Sequence, residues 1–166
     1  MLKLPKDLVA DPRHDAVSNL LTAHTGLLWE GGRHQVATLP MTAHLAAVLR
    51  EALAAGLACQ GLEQITDKLA GEQKGLDAAA AKAPESSQNA RVSRLLFVAN
   101  DGSARFYRDC DALLSRYSQR LLACRLDVPG EELGSALFGN PRLVRSVLVF
   151  DKKVGAKALL ALLPPA

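Results

Sequence analysis

A chain of 166 residues, 49% hydrophobic and 22% charged, is long enough to bury one domain's core and too apolar to be disordered throughout. No apolar run reaches the ~18–20 residues that cross a bilayer, and MLKLPKDLVADPRHD places acids and prolines where a signal peptide has its apolar core, so a cytoplasmic, non-membrane protein is expected. The net charge of +3 is unevenly held: residues 1–90 carry eight Lys and Arg against ten Asp and Glu, residues 91–166 twelve against seven, and the basic second half suits a polyanion such as RNA.

In chain order, residues 1–40 read as an amino-terminal extension in which LLWEGGRHQVATL predicts a hairpin about Gly31-Gly32. Thr42 suits an N-cap, and Leu45, Val48, Leu49 and Leu53 recur at helical steps until Gly56, which predicts an amphipathic helix. After LACQ, Gly61 leads into LEQITDKLAGEQKGLDAAAAKA, helical in propensity, expected to weaken at Gly71 or Gly75 and to end at Pro84. PESSQNA follows as a polar connector. Beyond it the pattern alternates: strand RLLFVA, helix ARFYRDCDALLSRY, strand RLLACRL, short helix in PGEELGSALFG, strand RSVLVF, closing helix KKVGAKALLALL. Strands separated by helices predict a mixed or largely parallel sheet covered on both faces.

Candidate chemistry is sparse. Asn100-Asp101-Gly102-Ser103, at the end of the first of these strands, suits a turn in which Asp101 or Ser103 caps the next helix and Gly102 supplies an unusual backbone angle. It also lies where open α/β sheets bind ligands, although neither GxGxxG nor GxxxxGK[ST] is present. His14, His24, His34 and His44 fall at steps of ten, which matches no ligand pattern, so no metal is expected. The pairs Asp109/Asp111 and Glu131/Glu132 read as solvated charge, and Cys59, Cys110 and Cys124 as buried free thiols. No catalytic residue and no cofactor are expected.

From about Thr42 to Leu163 the order of elements resembles the L7Ae/L30e ribosomal-protein family. The resemblance is carried by HLAAVLREALAAG with Gly61-Leu62-Glu63-Gln64-Ile65-Thr66, by LLFVANDGS, by EELGSALFG and by FGNPRLVRSVLVFD. It implies a three-layer α/β/α sandwich with a small mixed sheet over residues 41–166, with an insertion at about 71–91. It also implies a non-catalytic RNA-binding protein, ribosome- or translation-associated, with a kink-turn or rRNA as partner. Carried over by position, Gly61, Glu63, Gln64 and Lys68 would form one side of the RNA site, and Arg142, Leu143 and Val144 the loop opposite. Lys152 and Lys153 are added as phosphate contacts on charge alone.

Two departures bear on this. Glu63-Gln64 stands where that family has Asn-Glu, and Asp67, beside Lys68, where a lysine is usual, so carboxylates would face phosphate. The alternatives are a relative of the third domain of peptide-chain release factors, acting through protein or ribosome contacts, and a small α/β nucleotide-binding enzyme using Asp101, Ser103 and Arg105. A basic face joining Lys68, Arg142 and Lys152 would favour RNA.

Overall fold

The computed structural model describes residues 3–82 and 91–164. Its elements are α1 (Lys6–Val9), α2 (His14–Thr22), β1 (Thr25–Leu27), β2 (Gln35–Leu39), α3 (Ala43–Ala54), β3 (Ala58–Gln60), α4 (Leu62–Lys82), β4 (Arg94–Val98), α5 (Ala104–Arg116), β5 (Leu121–Leu126), α6 (Gly130–Phe138), β6 (Ser146–Val149) and α7 (Lys152–Ala161). The strands form one six-stranded sheet in the order β1-β2-β5-β4-β6-β3. The β2–β5 and β4–β5 pairs are parallel, and β1–β2, β4–β6 and β3–β6 are antiparallel. The sheet is therefore mixed, as the alternating pattern predicts.

Strand alternation sorts the apolar residues into two cores, because successive side chains point to opposite faces. On β4, Leu95 and Phe97 join the cluster that contains Leu45 and Leu49 of α3, Leu133 of α6 and Leu159 of α7. Leu96 and Val98 join the other, with Ile65 and Leu69 of α4 and Cys110 and Leu114 of α5. With helices on both faces, the architecture is a three-layer α/β/α sandwich.

Residues 1–40 are a structural part of this sandwich rather than an appendage. The expected hairpin forms, and β2 then pairs in parallel with β5, extending the sheet by two strands. Leu8 of α1 and Val17 of α2, two helices the sequence reading did not predict, are fully buried in the core. Gly31 and Gly32 serve the indole rather than a special backbone angle: a Cβ at Gly31 would lie 2.7 Å from the ring of Trp29.

Other expectations need correction. Helix α4 does not weaken at Gly71 or Gly75; it runs unbroken to Lys82, so the first half of the insertion near 71–91 is helix. The stop at Pro84 and the connector PESSQNA lie outside the described residues. LACQ, to which the sequence assigns no element, contains the edge strand β3. Asp111 is buried, not solvated: its carboxylate accepts the backbone N–H groups of Arg33 and His34 at 3.1 Å, pinning the hairpin loop to α5.

The thiols are free. Burial pushes Cys124 up to about 12, and burial together with Asp109 and Asp111 does the same for Cys110. Cys59 is only half-buried; burial raises its pKa, opposed by Lys68 and assisted by Glu72. Because thiolate is the reactive species, a disulfide reagent at pH 8 is expected to modify Cys59 alone in the native protein, and all three cysteines after denaturation. Two rapidly reacting native thiols would contradict this burial.

Candidate nucleic-acid interface

At the end of the sheet where β4 and β5 finish, three segments are tied together. The turn after β4 begins with Asn100, whose N–H donates to the Val128 carbonyl at 2.9 Å and whose side-chain amide donates to Asp127 at 3.0 Å. Ser103 is the N-cap of α5, its Oγ accepting from the Phe106 N–H at 3.1 Å. Asp101 serves a different helix: its Oδ1 accepts from the N–H of Gly130, the first residue of α6, at 2.9 Å, and from Arg145 Nε at 3.4 Å. A carboxylate at a helix amino terminus is favoured both by the unpaired N–H groups and by the dipole. Asn100-Asp101-Gly102-Ser103 is thus a junction for β4, α5, α6 and the segment before β6.

Gly102 is required for space and not for an unusual φ. A Cβ there would lie 2.4 Å from the Phe106 ring, while its N–H donates to the Tyr107 hydroxyl, which in turn donates to the Ala99 carbonyl. The Asp101/Ser103 enzyme alternative finds both side chains occupied by these structural hydrogen bonds.

Arg142–Arg145, the segment before β6, is held against α6. The Val144 N–H donates to the Gly130 carbonyl at 3.0 Å, and Val144 itself is 1% exposed. Val144 is therefore an anchor, a correction to its assignment as a contact residue. Leu143, by contrast, is 51% exposed, the most exposed large apolar side chain in the described chain. Arg142 lies with its guanidinium carbon 4.1 Å from the centre of the Phe138 ring. The carbonyl of Arg142 occupies a notch over Gly134, where a Cβ would sit 1.5 Å from that oxygen.

The start of α4 is adjacent. Gly61 adopts φ +92°, which strains any other residue, and its N–H donates to the Ser146 carbonyl at 3.1 Å. Glu63 and Gln64 follow, both exposed. Gly61, Glu63, Gln64, Arg142, Leu143 and the buried Val144 are thus brought to one end of the sheet, together with Arg145, which sequence reasoning missed.

Lys68, Lys152 and Lys153 are not brought there. Lys68 Nζ lies 4.2 Å from the centre of the Phe150 ring, and Lys152 and Lys153 open α7; all three positions belong to the far end of β6. Arg142 precedes that four-residue strand and Lys152 follows it. At roughly 3.3 Å per residue the strand alone separates them by about 13 Å. The single basic face joining Lys68, Arg142 and Lys152 does not form.

No family model matches this sequence, and no curated protein matches it. In fold the chain is similar to the solved structure of a protein with unknown function from Bacillus halodurans C, with a TM-score of 0.51 at 15% identity, over 73% of this chain and 98% of that one. At this identity the likeness concerns the fold alone. No helix among the described residues is long and apolar enough to cross a membrane.

Proposed function

We propose that the protein is a non-catalytic RNA-binding protein of L7Ae/L30e type, and that RNA docks on the end of the sheet formed by the start of α4 and the Arg142–Arg145 segment. The observation that carries this reading is the Gly61–Ser146 hydrogen bond, which sets the α4 amino terminus beside a loop from which Leu143 projects. An exposed aliphatic side chain next to unpaired helix N–H groups can pack on an unstacked base while the amides and Arg142 hold the sugar–phosphate chain. Tyrosine and tryptophan platforms for stacking are not needed for this mode. A kink-turn, which presents such a splayed base, is the RNA class that fits, and a ribosomal or translation-linked RNA is its expected source.

Leu143→Ala should cost little stability, because the side chain is half exposed, yet should reduce affinity for a kink-turn about tenfold while leaving weak duplex binding unchanged. Arg142→Glu should weaken both and make the dependence of log K on log salt shallower by about one. If both variants bind kink-turn RNA as the wild type does, RNA does not dock here. The exposed Glu63, unfavourable toward phosphate, supports a second reading, a release-factor-like domain acting through protein or ribosome contacts; that reading gains if no RNA binds at all.

A further inference from the structure

We propose that a second, separate site for closely spaced phosphates lies at the opposite end of the sheet, in the cleft where β4 and β5 begin. This cleft, of about 1250 Å³, is walled by α4, by the segments leading into β4 and β5, by the end of α5 and by the start of α7. Among the described residues, seven cationic side chains line it against three carboxylates, Asp7, Glu72 and Asp77.

One of those carboxylates is already spent. Glu72 accepts from Arg94 Nε and Nη2 at 2.9 and 2.8 Å and from Arg120 at 2.9 Å, and these three side chains are only 11–18% exposed. The cleft floor therefore carries two guanidiniums on a single shared acid. Above it, Lys6, Arg116, Lys152 and Lys153 are exposed and make no ion pair among the described residues.

A second observation points the same way. Lys152 and Lys153 occupy the first turn of α7, directly after its N-cap Asp151, whose Oδ2 already accepts from the Val154 N–H at 3.0 Å, so the two ammonium groups rather than the helix terminus are what an anion would meet. Adjacent ammonium groups in the first turn repel one another, and a phosphate whose oxygens meet both relieves that repulsion. Tyr117, on the same wall, is 3% exposed and offers no face for stacking a base, so recognition here is of phosphate rather than of sequence. The phosphates could be those of a short oligophosphate or of an RNA backbone.

The test is titration of the full chain with inorganic tripolyphosphate by calorimetry, and with a labelled ten-nucleotide single-stranded RNA by anisotropy. Each is run on the wild type, on Lys152→Glu with Lys153→Glu, and on Arg142→Glu. Acids suit the first turn of a helix, so the double variant should melt at or above the wild-type temperature, and lost binding would not reflect unfolding. Tripolyphosphate affinity should fall at least tenfold in the double variant and stay unchanged in Arg142→Glu. If only the RNA shows the Lys152/Lys153 dependence, the phosphates recognised are those of an RNA backbone. The proposal is overturned if neither probe binds, or if both bind the double variant as tightly as the wild type. Failure of the proposed RNA edge would appear separately, as an RNA affinity that Arg142→Glu leaves unaltered.

Discussion

Gly134→Ala is expected to lower stability by about 3 kcal/mol, the upper part of the usual range for overpacking a core. A Cβ at this position would lie 1.5 Å from the Arg142 carbonyl oxygen and 2.5 Å from its carbon, both backbone atoms with no rotamer to escape into. Either α6 moves away from the sheet or the 142–144 backbone moves outward. The first loses the burial of Leu133 and Leu137, and the second breaks the Val144–Gly130 hydrogen bond and the Asp101–Arg145 contact. For a chain of this length the midpoint of thermal unfolding should drop by about 10 °C. Below that midpoint the variant should also lose kink-turn preference, because Leu143 is displaced with the segment. Ser135→Ala, next along α6 and exposed, should stay within about 0.5 kcal/mol of wild type. A Gly134→Ala protein that melts within 2 °C of wild type would refute the close approach.

Glu72→Ala should cost about 2 kcal/mol. Removing one partner of a buried ion pair commonly costs about 3–5 kcal/mol, and the residual 11–18% exposure of Glu72, Arg94 and Arg120 lets water relieve part of that. The sign of the pH dependence follows from the carboxyl. Burial alone would raise its pKa, but the hydrogen bonds and charges of Arg94 and Arg120 outweigh burial and hold it below the ordinary glutamate value. A depressed native pKa contributes stability that is complete above the unfolded value of about 4.3 and is lost as pH falls through the folded value. Urea unfolding at pH 7 and pH 3 should therefore show a smaller acid loss in Glu72→Ala than in wild type. Equal losses would mean that the triad contributes nothing to acid sensitivity.

From Thr42 onward most elements were legible because each carries its own local signal. Thr42 caps α3 by accepting from the Leu45 N–H, Gly56 and Gly139 take positive φ just past α3 and α6, and the continuous apolar runs of β4 and β6 are buried on both faces. The first forty residues were less legible. The nine-residue α2 opens without a side-chain cap, and α1 has only four residues, too short for a period to show. The strand β3 escaped for the same reason.

The site was half legible. Gly61 and Leu143 sit in segments that resemble a known pattern, so position alone nominated them. That Lys152 belongs to a different end of the molecule depends on strand order, with β6 lying between β4 and β3, and no local pattern of charge contains that information. Of the two caps expected for α5, Ser103 is the one used, and Asp101 instead caps α6, twenty-nine residues away. Short-range reasoning sees the nearest donor, and the fold supplied another.

Docking of structured RNA on the α4–Leu143 end, as proposed, can be tested without any variant. The most direct measurement is a gel-shift titration of the unmodified protein against a kink-turn RNA and a plain duplex of equal length, at 50 and 200 mM salt. Binding should be tighter to the kink-turn at both salt concentrations, with a preference that survives the higher one because packing of Leu143 on a base is not screened. Equal affinities that collapse together as salt rises would reduce the interaction to general electrostatics and contradict the claim.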